Sequence, residues 1–230
     1  MATPADARQG LIDLTQDVQR ELVRLWPTLA ELPPEQVRDA LIDLLPLLGG
    51  EYGLAAGTLA ADWFDDLRDA AGVGGYFRAE PAPPVDSARW EALAVWGVDP
   101  LFAEHPNTTA VLQRLSGGLQ RTVADRHRLT VVENSIRDPK ASGWKRTGVG
   151  GSCTFCRMLI DRGHVYAEAS VTFRSHDHCN CAASPSWAPN VTKVSAEPFR
   201  QSQRDRSAET KSADNKRAYA FMREQYGDTH

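Results

Sequence analysis

The sequence predicts a mainly α protein, with an N-terminal helical bundle followed by a small α+β module near the C-terminus. Apolar residues recur at spacings of three and four along the first part of the chain, which is the period of an amphipathic helix. After residue 140, glycines and alternating apolar positions replace this pattern. All four cysteines lie within residues 153–181, which sets this segment apart from the helical part.

The composition is that of a folded globular protein. Hydrophobic residues make up 42% of the 230 residues and charged residues 24%. No apolar run approaches the roughly 20 residues that span a bilayer. Residues 1–6 have neither the basic start nor the apolar stretch of a signal peptide. We therefore expect no membrane partner and synthesis in the cytoplasm.

The charges are distributed unevenly. Residues 1–80 hold 14 acids and 6 bases, a net charge of −8, whereas residues 111–181 hold 6 acids and 11 bases, a net charge of +5. This asymmetry indicates different neighbours for the two regions. The basic region is a candidate DNA-facing surface, but its charge is modest. A solvated surface with internal ion pairs is the simpler interpretation.

The first helix is expected to begin at Thr3, because a threonine N-cap precedes Pro4 at the first helical position and Asp6 in the first turn. A prolyl pair at 33–34 ends it and allows a restart. The apolar stripe of this helix consists of Leu11, Leu14, Val18, Leu22, Leu25 and Leu29.

Two more helices complete the predicted bundle over residues 1–78. The second begins at Glu35, and Pro46 together with the glycine pair at 49–50 is expected to end or kink it. The third extends from about Tyr52 to Ala71. Three helices are enough for a compact bundle. The apolar stripe of the second helix consists of Val37, Leu41, Leu44, Leu45 and Leu48.

Residues 79–140 are predicted to form a linker followed by a helical middle region. Helices are expected around Ser87–Trp96 and from Thr109 to Arg128, although the glycine pair at 117–118 argues against an unbroken second helix. His105 and His127 are isolated in the sequence and are expected at the surface or at helix ends. Beyond the module, residues 190–230 form a polar tail in which Lys216 to Tyr226 is expected to be helical.

One pattern carries chemistry: Cys153-x-x-Cys156 followed by His176-x-x-Cys179-x-Cys181. Two ligand pairs on two turns are how structural zinc is commonly held, in a closed tetrahedral shell. The sulfur-rich donor set suits Zn²⁺ better than Mg²⁺ or Ca²⁺. Since five side chains compete for four positions, the sequence predicts Cys153 and Cys156 plus two or more of the other three.

The predicted metal-binding module comprises residues 141–189. His178 is its least favoured donor, because its neighbours already supply enough. Residues 157–162 are expected to form a helical turn closed at Gly163 in a left-handed conformation, and residues 165–173 alternate as in a strand or hairpin. So small a unit has little core of its own. Metal binding worth roughly 10–16 kcal/mol, as in zinc-finger peptides, offsets its ordering entropy.

Three other interpretations of the cysteines remain open. A redox pair is disfavoured because no βαβ pattern precedes it. Catalytic zinc needs an open coordination position beside a general base, and neither H-x-E before P-C-x-x-C nor H-E-x-x-H occurs. The cysteines can also be clustered without a ligand. Phosphate-binding loops and nucleophile elbows are missing as well, so we expect no enzymatic activity and no catalytic residue.

The cysteine and histidine pattern resembles the C-terminal signature of the MuF-type head morphogenesis proteins of tailed phages. Residues 151–159 and 176–179 are most similar to the versions in phages and prophages of actinobacteria, and residues 52–56 and 59–68 are similar to that group as well. The sequence departs from the signature in two places. Asp177-His178 replaces the usual Pro-Asn, and Asn180 replaces a basic residue, which weakens the expectation that this loop touches DNA.

The resemblance implies a minor capsid protein made beside the portal and capsid proteins. Such a protein is assembled in the host cytoplasm and resides in the virion, in the head interior or near the portal. Its implied partners are the portal protein, the capsid and packaged double-stranded DNA. Two alternatives remain: a phage-encoded metal-dependent nuclease or hydrolase, and a zinc-containing DNA-binding regulator.

Overall fold

The computed structural model describes residues 3–148, 154–161, 163, 165–167, 173, 175–179, 181–189, 193–194, 207, 209, 210, 212, 213, 216, 220 and 224. Its helices are α1 Pro4–Leu29, α2 Pro34–Ala70, α3 Ser87–Val98, a 3₁₀ turn Asp99–Leu101, α4 Thr108–Arg137 and α5 Thr154–Asp161. Its strands are β1 Gly143–Thr147, β2 Val165–Tyr166, β3 Ala182–Ser186 and β4 Lys193–Val194. The predicted fold class, mainly α with a small α+β C-terminal part, is confirmed.

The start of α1 follows the prediction. Thr3 is the N-cap, and its side chain accepts a hydrogen bond from the Asp6 amide. The Asp6 carboxylate in turn accepts one from the Thr3 amide at 2.8 Å, which completes a capping box. Two of the amides that a helix start leaves without partners are thereby satisfied.

The predicted end of the second helix near Pro46, with a separate third helix from about Tyr52, is wrong, because α2 is one continuous helix of 37 residues. The glycines have a packing role instead. A Cβ atom at Gly49 would lie 2.3 Å from the ring of Trp90, so only glycine lets α3 approach this closely. Burial of Leu45 on α2 and of Trp90 on α3 offsets the weak helix propensity of proline and glycine.

Helix α4 is likewise unbroken and longer than predicted. The expected interruption of the helix at residues 117–118 is absent. Gly118 instead lets α3 approach closely, because a Cβ atom there would lie 2.2 Å from the Leu93 side chain. His127 lies in the middle of this helix and is fully buried, so its expected place at the surface or a helix end is wrong. Its ring stacks at a tilt on Trp63, with centroids 6.1 Å apart.

The main hydrophobic core joins α1, α2, α3 and α4, and so draws on both of the regions that were distinguished in the sequence, 1–78 and 79–140. Its fully buried members come from each helix in turn. They include Val18, Leu22, Val37, Leu41, Leu45, Ala94, Val111, Leu115, Leu119 and Val123.

A second cluster attaches the sheet to the helices. Trp63 and Phe64 of α2 and Val131 of α4 pack with Trp144 of β1 and Ala183 of β3. The strand order is β3-β1-β2-β4; β1 is antiparallel to both neighbours, and β4 is parallel to β2. Strands β1 and β3 were not predicted. The C-terminal part of α4 is therefore the surface on which the module rests.

The remaining predictions concern short segments. The turn before Gly163 is confirmed: α5 precedes it, and Gly163 has a φ of 57°. Of the alternating segment 165–173, Val165–Tyr166 is strand and residues 168–172 lie outside the described part. In the expected tail helix, the described positions Lys216, Ala220 and Glu224 are helical. Among the described residues, no helix combines the length and the apolar character needed to cross a membrane.

Candidate metal centre

Three predicted ligands converge on one point. The Sγ atoms of Cys156, Cys179 and Cys181, called here the cysteine cluster, all lie within 4.8 Å of one another. Cys156 comes from α5, and the other two come from the loop before β3. The Sγ atoms of Cys156 and Cys179 are 3.6 Å apart. A tetrahedral ion with Zn–S bonds of about 2.3 Å requires an S···S distance of roughly 3.8 Å, so this pair fits a shared ion.

The cysteine cluster is closed to solvent. The exposed fractions of Cys156, Cys179 and Cys181 are 1%, 4% and 1%. Ile160 and Phe173 pack against the three side chains. The group therefore can hold a metal ion in a buried, apolar surrounding, as structural sites do.

His176 borders the cluster without belonging to the group of mutually close donors. Its Nε2 atom is 4.0 Å from Cys156 Sγ. Its Nδ1 atom lies 2.7 Å from the carbonyl oxygen of Asp177, and since a carbonyl only accepts, Nδ1 carries the proton. The neutral ring then presents the Nε2 lone pair towards the thiol, which is the tautomer that binds a metal.

The other donors of the sequence pattern are placed differently. Cys153 lies outside the described residues. His178, the least favoured donor, is not a member of the close group. It has a φ of 61°, and its Nε2 atom would lie 2.9 Å from a Cβ atom at Gly117. This part of the loop therefore rests on the backbone of α4.

Arg128 of α4 fastens the cysteine loop to the helical core. Its Nε donates to the carbonyl oxygen of Cys181 at 2.9 Å, and its Nη2 donates to that of Cys179 at 2.6 Å. The side chain is 1% exposed. Charge-assisted bonds in such a buried place are stronger than neutral ones, so one arginine positions the backbone of two ligands.

Asp125 supports this arginine from one turn earlier on α4. Its carboxylate accepts hydrogen bonds from Arg128 Nη1 at 2.8 Å and from Ser175 Oγ at 2.8 Å, and it pairs with Arg89 at 2.7 Å. Arg121, a further turn back, pairs with Asp177 at 3.0 Å. Arg121, Asp125 and Arg128, spaced by four and three residues, lie on one face of α4 and hold the cysteine loop at several points.

Arg146 of β1 brings a second cation to the thiols. Its Nη1 lies 3.8 Å from Cys156 Sγ as a hydrogen-bond donor, and its guanidinium stacks 3.7 Å from the centroid of Phe173. The guanidinium carbon of Arg128 lies 5.0 Å from the centroid of the same ring. Positive charge next to sulfur favours thiolate, the form that binds a metal.

The electrostatics within the cluster make the thiols unequal. Hydrogen bonds from Cys156 and Cys181 lower the pKa of Cys179, burial opposes this, and the charge of Arg128 lowers it further. The same hydrogen bond with Cys179, followed by that with Cys181 and burial, raises the pKa of Cys156. Cys179 thus loses its proton before Cys156. A divalent cation, by its own charge, favours deprotonation of the others.

Sequence analysis missed the residues that position the ligands. Arg121, Asp125 and Arg128 were given no role in the sequence analysis, although they line the face of α4 that meets the module. Their spacing of four and three residues was the available signal. Because their partners lie about 50 residues further along the chain, the sequence alone did not indicate which surface they meet.

Comparison with known proteins places the chain in a family. It matches the family described as VG15 protein over residues 2–208. No curated protein and no solved structure matches it. Since the match covers far more than half of the sequence, including the helical bundle and the cysteine cluster, the chain belongs to the VG15 protein family, a family of phage proteins.

Proposed function

We propose that the chain is a minor capsid protein of the MuF type, incorporated in low copy into the head of a tailed phage. Membership of a phage protein family supports the setting. The observation that carries the proposal is the cysteine cluster, closed to solvent and fastened to α4 by Arg128. The cluster has the cysteine pattern of that group of head proteins and would stiffen the C-terminal module. The proposed location of the protein is the head interior or the vicinity of the portal.

The metal of this centre is proposed to be one structural Zn²⁺. Cys156, Cys179 and Cys181 supply three soft donors, and the fourth position falls to His176 or to Cys153. The tautomer of His176 favours the histidine. Zinc is preferred because a sulfur-rich tetrahedral site matches its coordination chemistry, whereas Mg²⁺ and Ca²⁺ require oxygen ligands.

A metal-dependent nuclease or hydrolase is the less favoured alternative. Such an enzyme keeps one coordination position open to substrate and water. The three thiols are at most 4% exposed, and Ile160 and Phe173 cover them. A closed donor set of this kind suits a structural role better than a catalytic one.

Direct DNA binding through the basic region 111–181 is also less favoured. Within the described part, Arg114, Arg121, Arg128 and Arg137 each pair with an acid. Arg146 is buried beside the cysteine cluster. Five of the eleven bases of this region thus serve contacts within the chain, which disfavours a regulator that binds the DNA backbone through them. We propose the portal protein and the capsid as the main partners, with packaged DNA as a neighbour.

The test is quantitative mass spectrometry of purified, DNA-filled particles of the phage or prophage that encodes the chain. The expected result is a few to a few dozen copies per particle, measured against the portal protein as an internal standard. Empty particles made without packaging serve as the control, because a head protein that joins during assembly is present in both. Good expression during infection with no copies in particles would reject the proposal and favour an assembly factor or an enzyme.

A further inference from the structure

Arg126 of α4 is a buried cation without an acidic partner among the described residues. Its side chain is 6% exposed. Nε donates to the carbonyl oxygen of Ala82 at 3.2 Å, and neither Nη atom has a hydrogen bond or ion pair within the part of the chain that is described. The buried arginines 68 and 128 each pair with an aspartate. Burial lowers the pKa of Arg126, because the charged guanidinium is less well solvated there.

The backbone of α2 makes room for this side chain. A Cβ atom at Gly53 would lie 3.5 Å from Arg126 Cδ, and one at Gly57 would lie 3.4 Å from Nε. Gly49, one turn earlier, admits the ring of Trp90 in the same way. Three glycines at a spacing of four thus bring the arginine and the tryptophan down onto one face of α2.

Arg126 and Trp90 line one cavity of ≈ 300 Å³ between α2 and α3. Its other walls are mostly apolar, and Ser87, the first residue of α3, lies at its edge. A single charged group in an apolar pocket of this size is the usual arrangement of a small ligand site. The remaining lining residues are Pro46, Gly49, Gly50, Leu54, Pro84 and Val85.

We propose that this cavity binds the C-terminal carboxylate of a peptide whose last side chain is apolar. The free edge of the guanidinium matches a carboxylate, which accepts two parallel hydrogen bonds from it. The walls formed by Trp90 and the prolines take up the apolar side chain. Leu54 is 55% exposed and continues the apolar surface beyond the cavity, where the preceding residues of the peptide lie.

A polyanion is a poorer match for this cavity than a single carboxylate. The α3 N-terminus is already capped, because the Asp86 carboxylate accepts from the Ala88 amide at 2.9 Å. That carboxylate also places negative charge next to the cavity. Residues 1–80, which supply the α2 wall, carry a net charge of −8 and repel nucleic acid.

The experiment is a titration of the full chain with the peptide N-acetyl-Ala-Ala-Phe carrying a free C-terminus. Binding is measured by calorimetry and by the change in the indole NMR signal of Trp90. Saturable binding is expected, at least tenfold weaker for the same peptide as its C-terminal amide. Arg126→Met is expected to lose the preference for the acid. Arg114→Met, which removes an exposed cation of the same helix, is the matched control and leaves binding unchanged.

A second pair of variants keeps the test independent of folding. Gly50 lines the cavity, and a Cβ atom there meets no atom within 4 Å, so Gly50→Ala adds no clash, whereas Gly50→Leu is designed to place a larger side chain at the cavity. The leucine variant is expected to lose peptide binding and the alanine variant to keep it. Equal affinity for acid and amide overturns the proposal. Binding of benzoate or inorganic phosphate as tightly as the peptide also overturns it, because the site then recognises a small anion.

Discussion

Arg128 donates a hydrogen bond from Nη2 to the carbonyl oxygen of Cys179 across 2.6 Å, and so joins a helix of the main core to a residue of the cysteine cluster 51 positions later. The same guanidinium reaches the Cys181 carbonyl. The helical part and the metal centre therefore share one rigid contact, and their stabilities are expected to be coupled.

Replacement of Arg128 by lysine tests this coupling. Lysine keeps the charge but has no planar fork, so at least one of the two carbonyl oxygens loses its donor. We expect a loss of roughly 2–3 kcal/mol in the free energy of unfolding, together with weaker zinc binding. Urea unfolding and competition with a chelator measure the two effects. Arg114→Lys, at an exposed site of α4, is the control and is expected to change stability by less than about 0.5 kcal/mol. Equal effects of the two substitutions would contradict the role of Arg128.

The three close, buried thiols of the cysteine cluster predict the metal content of the purified protein. Reduced protein purified without chelator is expected to contain about one zinc per chain, because zinc sites of this type bind with roughly 10–16 kcal/mol. Cys156→Ser should lose most of the metal and melt at a lower temperature, whereas Asp161→Asn on the exposed side of α5 should keep it. Elemental analysis and thermal melts give both readings. Metal-free protein with unchanged melting would disprove the structural role.

Gly117 is expected to be intolerant of a side chain although it lies within a helix. A Cβ atom there would lie 2.9 Å from Asp177 Cβ and 2.9 Å from His178 Nε2. Gly117→Ala should therefore displace the cysteine loop and lower both stability and zinc affinity. Gly50→Ala, where a Cβ meets nothing within 4 Å, should instead stabilise the protein by about 0.5–1 kcal/mol through helix propensity. If both alanines stabilise equally, the loop does not rest on Gly117.

His127 should make the protein sensitive to mild acid. Burial, and to a smaller degree the charge of Arg128, lowers its pKa from 6.5 to about 3. Between these values the unfolded chain binds a proton that the folded protein does not, so stability present above pH 6.5 is lost as the pH falls towards 3. The slope is at most about 1.4 kcal/mol per pH unit. In His127→Leu this slope is expected to disappear, whereas exposed His105→Leu should retain it. Urea unfolding at pH 7, 6 and 5 decides the matter.

Asp138 acts at lower pH. Burial alone raises its pKa, but hydrogen bonds from Trp187, the Lys140 amide and Arg68 outweigh this and hold the pKa below 3.8. The stability contributed by the carboxylate is therefore present above pH 3.8 and is lost as the pH falls through the folded-state pKa. Asp138→Asn leaves the buried Arg68 without its anion and should cost roughly 3 kcal/mol at pH 7. Asp39 pairs with Arg38 at an exposed site, so Asp39→Asn should change stability little. An equal loss in the two variants would argue against the role of the Arg68–Asp138 pair.

The sequence analysis succeeded where the signal was local. The Thr3 cap, the stripe of α1 except for the exposed Leu25, and the turn at Gly163 depend on neighbours along the chain, and the structure has them. It failed where the cause lies far away in sequence. Gly49 and Gly118 were taken as helix breakers, but their partners Trp90 and Leu93 belong to another helix.

The sheet also depends on contacts between residues that are far apart in the sequence, and so it was not predicted in full. Strand β3 has the sequence Ala-Ala-Ser-Pro-Ser, without the β-branched or aromatic residues that favour strands. It is a strand because it pairs with β1 in a register that places Ala183 opposite Arg146 and packs on the core. The cysteine cluster was predictable because few donor sets suit a metal, whereas Arg128 was not, because nothing near it in sequence marks its role.

The order of synthesis gives the contact of Arg128 a further consequence. A ribosome completes α4 at Arg137, about 40 residues before it adds the cysteines whose carbonyl oxygens this guanidinium binds. Until then the arginine has only Asp125 as a partner, and the face of α4 that will carry the module is bare. In nascent chains the helical bundle is therefore expected to be folded, with the charged face of α4 exposed to solvent. With the proposed structural zinc, metal binding after the cysteines are added is expected to close this side, so zinc supply is expected to set when the protein reaches its final fold.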